Sequence, residues 1–103
     1  MRVVRYSKTF ARAIDALLAQ GEPKFGPAVV RSKRKLVRDT AEHYLAHFPA
    51  AKQPDHALGL TIYPIGKTPF VILYDYDDVG LRVHFVFHKN ADLTELDPAS
   101  AEW

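Results

Sequence analysis

Two apolar runs, 70–76 and 81–88, flank the turn-like string Asp77-Asp78-Val79-Gly80, and each alternates with the two-residue period of a strand. The reading is a β-hairpin, with Gly80 supplying the unusual backbone angle of the turn. Alternation then assigns faces. Phe70, Ile72, Tyr74 and Tyr76 share one side, as do Leu81, Val83, Phe85 and Phe87, and these aromatic-rich sides are expected to form the core. The opposite face would carry Val71, Leu73 and Asp75 beside Arg82, His84, Val86 and His88, a mixed and cationic surface. Leu58, Leu60 and Ile62 alternate as well, but the Pro- and Gly-containing stretch 64–69 keeps that strand short.

Upstream, the period changes. After a short β-compatible run of Val3, Val4 and Tyr6, Ser7 is placed to cap a helix carrying Phe10, Ala13, Ile14, Leu17 and Leu18 on one face. Gly21 is expected to stop it, with Pro23, Gly26 and Pro27 as the connection. A second helix over 27–48 follows from Val30, Leu36, Val37, Ala41, Tyr44, Leu45 and Phe48, and Pro49 ends it. The expected fold is α+β: an N-terminal strand, an antiparallel helical hairpin, then an antiparallel sheet, in the order β-α-α-β-β-β. One domain over 1–103 accommodates all of this, with 93–103 as a tail that Trp103 packs down.

Composition excludes several chemistries. With no cysteine among 103 residues there is no disulfide, thiolate zinc site or cysteine nucleophile, and the expected compartment is the cytoplasm. No stretch has the apolar core of a signal peptide or the length of a membrane span. Charge is divided: residues 1–52 carry +7 and residues 53–103 carry −5, which reproduces the net +2. The positive excess concentrates on Arg31, Lys33, Arg34, Lys35 and Arg38, read as a partner-binding face. The alternative is that the basic helices neutralise the acidic half of the same chain.

Two histidine placements and one tyrosine bear on chemistry. Arg82, His84 and His88 would line one row of the sheet, where a guanidinium can stabilise a phosphorane and an imidazole can move a proton of a ribose hydroxyl. The alternative is a solvated face on which Arg82 pairs with Asp75 of the neighbouring strand. His43 and His47, four apart, have the spacing of helical zinc ligands, but no third ligand accompanies them, and neither metal nor cofactor is expected. Tyr63 is the tyrosine left free for stacking against an RNA base.

The basic helical hairpin, Phe48-Pro49, the strand with its Gly/Pro break, Pro69-Phe70-Val71-Ile72-Leu73-Tyr74, the acidic turn, and Val83-His84-Phe85-Val86-Phe87-His88 followed by Asp92 together resemble the RelE/ParE superfamily over most of 3–92. These are small toxins of bacterial type II toxin–antitoxin modules, some of the plasmid-stabilisation type. The resemblance implies a small sheet packed on a helical hairpin, a cognate antitoxin as partner, and in some members a homodimer. It implies one of two activities. RelE-like members are metal-free endoribonucleases that cut messenger RNA on the ribosome, and ParE-like members inhibit DNA gyrase without cutting RNA.

The residues sort between the two. A nuclease would use Arg82, His84, His88 and Lys67, yet Phe70 stands where the family's nucleases usually carry a strand Arg, and no Tyr follows His88. The Pro-aromatic-Val-Ile-x-Tyr string is more similar to ParE-like members. The expectation is therefore a ParE-like gyrase inhibitor, with the messenger RNA nuclease and a non-toxic interaction module of the same fold as the alternatives.

Overall fold

The computed structural model describes residues 2–103 as an α+β domain in which helices cover one face of a four-stranded mixed sheet. Strand β1 (Val3–Tyr6) leads into α1 (Lys8–Asp39), whose last turns widen into a π-helical segment, Thr40–Leu45. Strands β2 (Thr61–Pro64), β3 (Phe70–Tyr76) and β4 (Gly80–His88) then form an antiparallel meander, and the strand order is β1-β4-β3-β2. The sheet is not antiparallel throughout. Strand β1 pairs with β4 in parallel, from Val3 opposite Gly80 to Tyr6 opposite Val83. The long helical crossover after β1 returns the chain on the far side of the meander and permits that pairing.

The helix begins where Ser7 predicts. Its Oγ accepts from the Phe10 amide at 2.8 Å, which satisfies one of the orphan donors of the first turn. The helix does not end at Gly21. It continues past Pro23 and breaks at Gly26, whose φ of 82° and ψ of 166° lie outside the helical region. That φ suits glycine, and Pro27 restarts the helix at a position where its missing N–H costs nothing. In one straight helix residues 15 and 34 would stand about 28 Å apart. Instead Arg34 Nη2 meets Asp15 Oδ1 at 2.8 Å, so the two arms, 8–25 and 27–39, double back side by side.

Phe10, Ile14 and Leu18 from the first arm, Val37 from the second, and Ala41 and Leu45 from the π-helical segment meet Phe70, Ile72, Tyr74, Leu81, Val83 and Val86 of the sheet. This core contains neither Phe85 nor Phe87. The β3–β4 register shifts between Leu73 and Tyr74: Leu73 pairs with Phe85 and Tyr74 with Val83, leaving His84 as the extra residue of a β-bulge. Beyond the bulge every side chain of β4 changes face. Val86 turns into the core, and Phe85 joins Leu60 and Leu73 in a second apolar cluster on the outer face, with Phe87 packed against it. Tyr76 also leaves the expected core; it is 37% exposed at the strand end, with the Arg2 guanidinium 5.5 Å from its ring centre.

Ser7 holds the bulge as well as the helix. Its amide donates to the Val83 carbonyl at 3.0 Å and its hydroxyl to the His84 carbonyl at 2.6 Å, so the two carbonyls of the bulged residues both find a donor. Ser7→Ala removes the cap and leaves the His84 carbonyl without that donor. The expected loss is about 2–3 kcal/mol of unfolding free energy, read by urea denaturation. A loss under about 0.5 kcal/mol would show that the bulge does not depend on Ser7.

The β3–β4 turn also departs from expectation. Gly80 has no positive φ; Asp77 shapes the turn, its Oδ1 accepting from the Val79 and Gly80 amides at 2.9 and 2.8 Å. The Arg82 guanidinium, then those two amides, holds the Asp77 carboxyl down at about 2.

Candidate functional site

The outer face of the sheet carries the polar cluster that alternation pointed to, in a closed form. Asp75 on β3 lies opposite Arg82 on β4, and Arg82 Nε donates to Asp75 Oδ1 at 2.8 Å while its Nη1 reaches Asp77 Oδ2 at 3.0 Å. The bulge brings His84 to the same carboxylate, with Nε2 3.0 Å from Asp75 Oδ1. Asp77 and then Asp75 raise the Arg82 pKa above its ordinary value, so this cation is held by two anions of its own chain. His84 is only 14% exposed at its side chain, and its Nδ1 is buried with no partner among the described residues. Trp103 covers it, edge-on at 4.9 Å between ring centres.

The row of Arg82, His84 and His88 is therefore broken. Beyond the bulge, His88 falls on the helix side of the sheet, opposite Phe70, while Arg82 and His84 remain outside. It is exposed and accepts from the Asn90 amide through Nδ1 at 3.2 Å. Lys67, exposed in the β2–β3 turn with a left-handed φ of 64°, belongs to the same end of the sheet as His88. Six residues of strand, roughly 18 Å, separate that end from Arg82. Arg82 and His84 thus stand on the outer face, His88 on the helix side, and Lys67 in the turn at the far end of the sheet. No single phosphodiester can meet them all.

The basic stripe lies on the second helical arm. Arg34 pairs with Asp15, Lys35 Nζ with Asp39 Oδ2 at 2.6 Å, and Arg38 Nη2 with Glu42 Oε1 at 3.3 Å, all in exposed geometry. Among the described residues, Arg31 and Lys33 form no ion pair; Lys33 lies 4.8 Å over the Phe25 ring. The acidic half of the chain does not neutralise this stripe, because its three carboxylate partners all come from residues 15–42. Arg31, Arg34, Lys35 and Arg38 line a shallow depression with Asp39 and Glu42. Exposed pairs of this kind exchange readily for other anions, since each contributes only about 0–1 kcal/mol.

His43 and His47 do not act together. His43 Nε2 turns to Asp39 Oδ1 at 3.8 Å, and the His47 ring lies beside Phe48 at 6.3 Å. Tyr63 is half-buried rather than free, 6.0 Å from Tyr44, which in turn lies 5.5 Å from the largely exposed Phe48. Sequence reasoning missed a cleft of about 210 Å³ below the Gly26 kink, where Leu17, Phe25 and Val30 face Phe70 and His88, with Lys24 and Lys33 at its rim. Phe25 and Val29, 53% and 40% exposed, were the available signal: two large apolar residues at a helix break that no core claims.

These elements describe a small α+β domain with a basic helical face and an internally neutralised polar cluster, and no helix among the described residues is long and apolar enough to cross a membrane. No protein-family model matches the chain, and a comparison with curated proteins finds no match.

Proposed function

We propose that this chain is a toxin of the RelE/ParE type acting as ParE-like members do, by docking on DNA gyrase through the basic face of its second helical arm, with a cognate antitoxin as its natural antagonist. The observation that carries this reading is the separation of Arg82 and His84 from His88 and Lys67, together with the engagement of Arg82 by two carboxylates. A general acid–base pair for RNA cleavage must reach one phosphate within hydrogen-bond distance, and this arrangement offers no such place. The basic stripe, by contrast, is exposed and paired only weakly, which suits electrostatic steering onto an acidic protein surface. The helical arms that double back at Gly26 and the β2–β3–β4 meander are in keeping with the fold that the resemblance implies.

Growth after induction in a bacterial host tests the reading cheaply. The wild-type chain is expected to arrest growth, and Arg82→Ala and His88→Gln are each expected to arrest it as strongly, with circular dichroism confirming that both fold. Loss of arrest in both folded variants would instead support the messenger RNA nuclease. A wild-type chain that leaves growth untouched would support the interaction module.

A further inference from the structure

Beyond β4 the chain turns back across the outer face of the sheet. The Ala91 amide donates to the His88 carbonyl at 2.9 Å to make the turn, and residues 89–92 are exposed. Leu93, Leu96 and Ala101 then pack, half-buried, against Leu60, Leu73 and Phe85. The far end is pinned to the first turns of α1. The Lys8 amide donates to the Glu102 carbonyl at 2.7 Å, the Glu102 amide donates to Thr9 Oγ1 at 2.9 Å, and Arg12 Nη1 lies 3.2 Å from Glu102 Oε2. Next to this anchor the Trp103 ring meets His84 edge-on and lies 5.6 Å beneath the Arg5 guanidinium.

What holds this segment differs from what holds the rest of the domain. Residues 93–103 contain no helix or strand, so they contribute no hydrogen-bond ladder, and none of their apolar side chains is fully buried. The Arg12–Glu102 pair is about two-thirds exposed on both sides, at 66% and 65%, a setting in which an ion pair adds little stability. Strands β3 and β4 instead pair along their length on both sides of the bulge and carry several side chains at or near zero exposure. Segments with few buried contacts and exposed hydrogen bonds open at free energies well below that of global unfolding. The surface beneath this one is sensitive to exposure, since it combines an apolar patch with a histidine whose Nδ1 is buried and, among the described residues, without a partner.

We propose that residues 93–103 form a detachable strap, latched at Glu102 and Trp103, whose release uncovers His84 and the Leu60–Leu73–Phe85 patch while the helices and sheet stay folded. The latch is the contact with Thr9 and Arg12, and the exposed stretch 89–92 is the hinge. The strap is thus a built-in cover for one face of the sheet, whichever target the basic helical face meets.

Trp103 is the only tryptophan, so its emission reports the latch directly. Arg12→Glu sets two carboxylates against each other at the anchor. In that variant Trp103 emission is expected to shift to the red, its quenching by acrylamide to rise about two- to fourfold, and carbethoxylation of His84, mapped by mass spectrometry, to accelerate about tenfold, as a sub-global opening requires. Far-UV circular dichroism and cooperative unfolding should be retained. If Trp103 responds only when the helical signal is also lost, the segment is an integral part of the core and the proposal fails. Native-state hydrogen exchange on the wild-type chain provides a test free of any substitution. The Lys8 and Glu102 amides should exchange on the order of 100-fold faster than those of Ile72 and Tyr74, and equal protection would overturn the strap.

Discussion

Replacing Arg31 and Lys35 together with Glu is expected, on the proposed function, to weaken gyrase inhibition by about 10- to 100-fold while leaving the domain folded. The two side chains are exposed on one helical arm, and the change converts a cationic stripe into a nearly neutral one. Its structural cost is small. A glutamate in place of Lys35 would stand four residues before Asp39, a like-charge helix pair that costs about 0.2–0.5 kcal/mol. Long-range attraction, by contrast, depends on the sum of charges on the face, so its loss acts mainly on the association rate. The wild-type potency should also fall as salt rises, because exposed charges separated by more than a Debye length of about 8–10 Å are screened. The variant should show a weaker salt dependence. Titration of inhibition against ionic strength for both proteins checks the two effects together, and equal potency at low salt would remove this face from the target interface.

Val86→Asp is expected to unfold the domain or destabilise it by more than about 4 kcal/mol, in the range of burying an unpaired charge. Val86 is 1% exposed and packs in the helix-side core. An uninterrupted alternation through β4 would place it on the outer face with Arg82 and His84, where a carboxylate near the Arg82 guanidinium would be tolerated. The substitution therefore tests the bulge as well as the core. A 103-residue domain has only about 5–15 kcal/mol of stability to lose, so circular dichroism and a thermal melt suffice to read the effect. A melt within a few degrees of wild type would place the bulge elsewhere.

The same bulge marks the limit of what was legible in the amino-acid pattern. Val71, Leu73 and Asp75 fall on the outer face and Leu81 and Val83 in the helix-side core, as alternation requires, and Asp75 lies beside Arg82. Past His84 the string Phe85-Val86-Phe87 is apolar in either register, so alternation alone could not reveal a one-residue slip. What fixes the slip is Ser7, distant in sequence, whose amide and hydroxyl meet the carbonyls of Val83 and His84. Its role as a helix cap was local and readable; its hold on the bulge was not. The turning of His88 away from Arg82 and His84 to the helix side follows from that one slip.

The helix break shows a different limit. Gly21, Pro23, Gly26 and Pro27 are four breakers within seven residues, and local propensity does not rank them. The choice falls on Gly26, with Pro27 following at the start of the second arm. Trp103 was legible as a packing residue, but its seat between Arg5 and His84 depends on three segments that only the folded chain brings together. The parallel pairing of β1 with β4 is of the same kind, since nothing local in Val3–Tyr6 selects its neighbour.

The most direct test of the proposed function is a supercoiling and cleavage assay with purified DNA gyrase, run beside a ribosome-programmed messenger RNA cleavage assay on the same protein preparation. Gyrase inhibition with intact RNA, unchanged by Arg82→Ala, is the predicted result. Cut RNA with unaffected gyrase would contradict it.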